Sequence, residues 1–147
     1  MTAIRKFVPA DTPTDIWTEL KLPNEDAKIR AIVNSGFRVE LLSHTADVLG
    51  LSCAAVGNAL GIAGTTLARR QKQGRFNREE SDRIFRLIEM TNRATGLFEG
   101  DINSAVRWMQ SSIPALGQKK PIDMIQTSAD TLAVLKLITR LEFGVHS

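Results

Sequence analysis

At 147 residues the chain can form one compact domain or two small helical ones, and it is too short for a large enzyme with separate cofactor and substrate domains. Hydrophobic residues at 43% and charged residues at 24% are ordinary for a folded globular protein, and no apolar run reaches the roughly 20 residues that span a bilayer. The net charge of +3 is unevenly spread: residues 1–64 carry six Lys/Arg against seven Asp/Glu (−1), residues 65–93 eight against four (+4), and residues 94–147 five against five (0), which marks the middle block as a candidate face for a polyanion.

Along the chain, the first dozen residues contain Pro9 and show no signal-type apolar stretch after Met1-Thr2-Ala3-Ile4-Arg5-Lys6, so we expect a loosely held arm and a cytoplasmic protein. Thr12-Pro13 reads as a helix start, carried on by Ile16, Trp17 and Leu20 and ended by Pro23. Asn24 is placed to cap a second helix with Ile29, Ile32 and Val33 as its apolar stripe and Gly36 as its stop. Phe37, Val39 and Leu41 alternate as in a strand, but Leu41, Leu42, Thr45, Ala46 and Leu49 have helical spacing, and the pattern predicts a helix from about residue 38 to Gly50. Ser52 caps the next segment through Ala59. The lone cysteine, Cys53, has no partner for a disulfide or a metal cage and is expected to be a buried structural thiol. After a turn at 60–64, a short helix is predicted from Thr65 to Gln71 with Gly74 closing it.

Asn77 and Glu80 form a cap-like N-x-x-E pair that opens a long helix facing inward with Ile84, Leu87, Ile88 and Thr91. A turn is expected around Gly96 and Gly100. Ile102, Ala105, Val106 and Met109 fall at i, i+3, i+4 and i+7, an amphipathic helix bounded by Pro114. Pro121 and Asp123 start a short helix, and Ser128 or Asp130 opens the last one, with Leu132, Leu135, Ile138 and Leu141 as its stripe and Gly144 as its stop.

Two short helices joined by a turn of small residues, inside a bundle, are what a helix-turn-helix requires: the first braces and the second presents its outer side to the major groove. The bracing helix is 52–60 and the presenting helix about 64–72. With Leu67 turned inward, Thr65, Thr66, Arg69, Arg70 and Lys72 are the candidate DNA-binding residues. Hydroxyls suit phosphates or base edges, arginine bonds guanine bidentately, and lysine adds sequence-independent affinity. The competing reading is a solvated helix face whose last-turn cations merely suit the macrodipole.

From Asp101 the chain reads Asp101-Ile102-Asn103-Ser104-Ala105-Val106-Arg107-Trp108-Met109, then Ile113-Pro114-Ala115-Leu116-Gly117 and Lys120-Pro121-Ile122-Asp123, and nears its end with Arg140-Leu141-Glu142-Phe143-Gly144-Val145-His146. An alanine–tryptophan helix, a proline–alanine–leucine–glycine turn, a proline-led helix start and an arginine-to-valine close, in that order, resemble the toxin-binding domain of the Xre/MbcA/ParS antitoxin family. The resemblance covers about residues 80–147, and 38–75 resembles the Xre-like helix-turn-helix that precedes that domain. It implies a RES-domain toxin as partner, an enzyme of ADP-ribosyltransferase-like type that consumes NAD or transfers ADP-ribose. It also implies a homodimer that blocks the toxin's active site and binds its own operator DNA. The terminal residues Arg140, Glu142, Phe143, Gly144, Val145 and His146 are then the expected toxin contacts, while Trp108 is read as a core anchor.

The expected fold is therefore an all-α helical bundle of seven or eight helices: an arm and short helices over 1–37, a helix-turn-helix over 38–78 and a helical toxin-binding domain over 79–147. Enzyme activity is the least supported class, since no P-loop, no G-x-S-x-G and no metal-ligand spacing is present and His44 and His146 stand far apart. No cofactor, metal site or membrane association is expected. The alternative is a stand-alone helix-turn-helix regulator whose C-terminal half only dimerises.

Overall fold

The computed structural model describes residues 15–144, which form eight α-helices and two short 3-10 turns with no extended strand among them. In chain order the helices are α1 (Ile16–Glu19), α2 (Asp26–Ser35), α3 (Glu40–Leu49), α4 (Cys53–Ala59), α5 (Gly64–Gln73), α6 (Arg78–Leu97), α7 (Ile102–Met109) and α8 (Ser128–Gly144). The 3-10 turns are Pro114–Leu116 and Pro121–Asp123. The all-α expectation holds.

The long helix α6 is the centre of the molecule. Its start is a complete capping box, in which Asn77 Oδ1 accepts from the Glu80 N–H and Glu80 Oε1 accepts from the Asn77 N–H, each at 2.8 Å. Ile84, Leu87, Ile88 and Thr91 are fully buried along it, as their spacing predicts. Helices α1 and α2 pack against it, with Trp17 and Phe85 meeting at 5.7 Å between ring centroids, and so do α7 and α8. One apolar cluster runs without interruption from Ile16 to Ile138, so both halves of the chain share a core through α6. The buried hydroxyls of Thr91 and Thr95 donate to carbonyls one turn back, and that of Thr131 donates to the Met124 carbonyl, so these groups cost little to bury.

Several boundaries differ from the sequence reading. Thr12-Pro13 and the Pro9 segment lie outside the described residues, and α1 is capped by Asp15, whose carboxylate accepts from the Thr18 N–H at 2.9 Å. Asn24 is one residue too early to cap α2, because Glu25 occupies that position. Helix α3 starts at Glu40, later than expected. The strand-like alternation ahead of it is real in one respect: Arg38 and Arg75 form an antiparallel bridge, with the Phe76 N–H donating to the Phe37 carbonyl and the Val39 N–H to that of Gly74. The Phe37 carbonyl and the Val39 N–H are taken by this ladder, so the helix proper begins only at Glu40, with Val39 already in helical conformation as its cap. Helix α6 runs on through Gly96, the turn coming only at Phe98–Gly100, and 121–123 forms a 3-10 turn in place of an α-helix. Cys53 is the first residue of α4 and only half-buried, 3.6 Å from Ser43 Oγ, rather than deep in the core.

Candidate DNA-reading face and partner-binding helix

Helices α4 and α5 form the helix-turn-helix. Ser52 caps α4 by accepting from the Ala55 N–H at 3.1 Å, and Gly61, at φ +76°, makes the turn that brings α5 back across it. The crossing is close because Gly57 is buried at the contact: a Cβ there would sit 3.2 Å from Leu67 Cδ2. Two side chains from the rest of the molecule reach the turn, Arg83 Nη1 donating to the Leu60 carbonyl and Gln126 Nε2 to that of Ala59, both at 3.5 Å.

On α5 only Leu67 is fully buried. Thr65, Arg69 and Lys72 lie at i, i+4 and i+7 and are exposed, Thr66 is half-buried at the edge, and the exposed Ala68 adds a low point between them. Four of the five sequence-predicted DNA-binding residues thus lie on or beside one outward side. Arg70 is placed elsewhere: three residues after Leu67, it shares the inward side, where its Nε donates to Glu80 Oε1 at 2.7 Å and its Nη1 to Gln73 Oε1 at 3.0 Å. The i, i+3 relation to Leu67 was the available signal for this placement.

Helix α8 is apolar on more than one side, and its faces fall differently from the expected stripe. Thr131, Val134, Leu137 and Ile138 are buried, while Leu132 is 49% exposed, Leu141 38% and Phe143 71%. Leu135 is half-buried beside Phe85, and with Leu132 and Ala129 these lines form a shallow groove between α6 and the first half of α8, edged by Arg86 and Glu89. The expected toxin contacts divide at the far end. Arg140 and Phe143 are exposed. Glu142 is half-buried, its Oε2 3.8 Å from where a Cβ on Gly96 would lie, so it faces α6. Gly144 is the last residue of the helix as described, and Val145 and His146 lie outside the described residues.

Around this helix the C-terminal elements are firmly held. Arg86 Nε donates to the Ile125 carbonyl at 2.9 Å and its Nη2 to that of Gln126 at 3.2 Å, while Asp82 pairs with the same guanidinium. Trp108 is half-buried against the core, so its anchoring is partial. Asp101 caps α7, and the Ser104 hydroxyl and amide donating to it hold its carboxyl below the ordinary aspartate range. His44 is exposed on α3. An open cleft of about 510 Å³ between α2 and α6, with Arg30, Arg78, Arg83 and Glu79 on its walls, holds none of the predicted site residues. Among the described residues no three His, Cys, Asp or Glu side chains come together as a metal site, and no helix is long and apolar enough to cross a membrane.

A helix-turn-helix with an outward basic side, joined through one long helix to a compact helical C-terminal unit, defines a two-part binding protein. Residues 29–89 match the antitoxin Xre-like helix-turn-helix domain, and residues 93–144 match the antitoxin Xre/MbcA/ParS C-terminal toxin-binding domain. The chain is 34% identical over 141 residues to Antitoxin Xre of Yersinia enterocolitica, covering 95% of each chain. It is 30% identical over 151 residues to Antitoxin Xre of Photorhabdus laumondii, covering 98% of this chain and all of that one. This chain belongs to the Xre antitoxin family.

Proposed function

We propose that the protein is the antitoxin of a toxin–antitoxin pair, which neutralises a cognate RES-domain toxin by occluding its active site and represses its own operon by binding operator DNA as a homodimer. The observation that carries this reading is the union, through the single helix α6, of a helix-turn-helix with an outward basic side and a C-terminal helix ending in exposed Arg140 and Phe143. The protein acts as a stoichiometric inhibitor in the cytoplasm, without cofactor or turnover.

At the DNA, Thr65 and Thr66 near the start of α5 donate to phosphates or base edges, Arg69 reads guanine and Lys72 neutralises a phosphate. At the toxin, a cleft that binds NAD carries hydrogen-bonding or cationic groups for a pyrophosphate and polar groups for ribose. Arg140 pairs with a carboxylate at the mouth of that cleft, Phe143 excludes water, and Val145 and His146 follow inward. Glu142 serves from behind by keeping the end of α8 against α6. The homodimer forms through the groove of Phe85, Leu132 and Leu135, and its twofold symmetry matches two half-sites on DNA.

The decisive experiment is co-expression with the toxin encoded beside it. Deleting residues 142–147 leaves a helical, folded protein that no longer protects the cell, whereas deleting the first ten residues has little effect. Full protection by the C-terminal truncation moves the inhibitory surface to α7, around Asp101 to Gln110.

A further inference from the structure

We infer that Arg70 is a positioning residue, which fixes the angle at which α5 presents Thr65, Arg69 and Lys72 by tying the middle of α5 to the capping box that opens α6. The inference rests on the DNA-reading role proposed for α5. Its basis is the scarcity of side-chain anchors within the helix. The backbone holds the far end of α5, where the Val39 N–H donates to the Gly74 carbonyl, but between its ends Leu67 is the one buried side chain, a single point of packing. Arg70 supplies the second point, one turn further along the same inward side.

The contact is sheltered and well anchored. Arg70 and Glu80 side chains are 17% and 8% exposed, so the pair is shielded from solvent and from salt. Glu80 Oε1 accepts from Arg70 Nε at 2.7 Å and from the Asn77 N–H at 2.8 Å, so one oxygen joins α5 to the start of α6. Gln73 accepts the second guanidinium bond at 3.0 Å, which stiffens the last turn of α5 before Gly74 reverses the chain. A guanidinium so engaged faces α6, while Arg69 and Lys72 face outward. Arg70 therefore acts on DNA affinity through Glu80 and Arg69 acts by touching the DNA.

The test is a double-mutant cycle on the full chain, with Arg70→Met, which keeps the apolar stem, Glu80→Gln, which keeps the cap acceptor, and both together, beside Arg69→Ala. Binding to the duplex upstream of the protein's own reading frame is measured against salt, and amide exchange over residues 64–73 is followed without DNA. Arg70→Met is expected to bind about tenfold more weakly with an unchanged salt slope. In the Glu80→Gln background, where the amide oxygen still accepts from Arg70 but without the charge, the same change is expected to cost no more than about threefold. Arg69→Ala weakens binding at the guanine it reads, and Lys72→Ala, measured beside it, makes the slope shallower by about one. Exchange over 64–73 is expected to quicken in Arg70→Met while α7 stays protected. A full penalty in the Glu80→Gln background, or a slope shallower by about one, overturns the inference and makes Arg70 a DNA contact. If the unaltered protein binds no DNA, the DNA-reading role falls by itself, and the positioning role is then decided by exchange: unchanged protection over 64–73 in Arg70→Met overturns it.

Discussion

Replacing Gly36 with alanine should destabilise the protein far more than the same change at Gly50, because both the backbone conformation and the crowding at Gly36 are less tolerant of a side chain. Both glycines end a helix, but Gly50, at φ +67° and ψ +30°, lies in the left-handed region that other residues reach at modest cost, whereas Gly36, at φ +98° and ψ +129°, lies outside it. Around Gly50 a Cβ meets nothing within 4 Å, so alanine there costs only the left-handed backbone, about 1 kcal/mol. At Gly36 the Cβ would stand 2.2 Å from the Phe76 carbonyl oxygen. That oxygen cannot retreat cheaply, because Phe76 is 3% exposed, its N–H donates to the Phe37 carbonyl at 2.9 Å, and Arg75 Nη1 donates to the Gly36 carbonyl at 2.8 Å. Separating the strands of this ladder forfeits two hydrogen bonds and adds strain, for a total of about 3–5 kcal/mol. With about 2–4 °C of Tm per kcal/mol at this chain length, Gly50→Ala should lose about 2–4 °C and Gly36→Ala about 6–20 °C. Thermal and urea melts followed by circular dichroism measure both. Equal losses at the two sites would refute the argument that the Phe37–Phe76 ladder is rigid.

Two further outcomes are open to direct measurement. Sedimentation of the unaltered protein at micromolar concentration is expected to show a dimer that Leu132→Glu converts to a monomer, and a monomeric parent would remove the α6–α8 groove as its interface. Asp101 has a folded pKa below its unfolded one, so the stability that its cap contributes to α7 is present above the ordinary aspartate range and is lost as pH falls through the lowered value. Asp101→Asn should therefore flatten the acid limb of the stability curve. An NMR titration placing the Asp101 carboxyl at or above the ordinary aspartate value would contradict that sign.

Features set by residues within a turn of one another were legible in the sequence: the Asn77–Glu80 capping box, the Ser52 cap, the inward stripe from Ile84 to Thr91, and the closure of α5 at Gly74. What escaped depends on distant partners. The start of α3 is delayed by backbone pairing with a segment more than thirty residues away, and no local pattern announces it. On α8, Leu132, Val134, Leu135, Leu137, Ile138 and Leu141 offer two overlapping apolar stripes, and only the packing of α6 selects the one through Val134 and Ile138. Arg70 is the intermediate case: its side of the helix followed from Leu67, but its partner lies beyond the turn at Gly74. Glu142 likewise carries no sequence signal for facing Gly96.

Because α6 extends through twenty residues and supplies contacts to both halves, the helix-turn-helix and the C-terminal unit have no seam between them. The match to the helix-turn-helix domain ends at residue 89 and that to the toxin-binding domain begins at residue 93, both inside this helix. A genetic crossover there would set Arg86, which grips Ile125, and Gln126, which reaches Ala59 beside the turn, against foreign neighbours. On the reading proposed above, a change in the DNA recognised comes through point changes on the outer side of α5 and not through exchange of the helix-turn-helix whole.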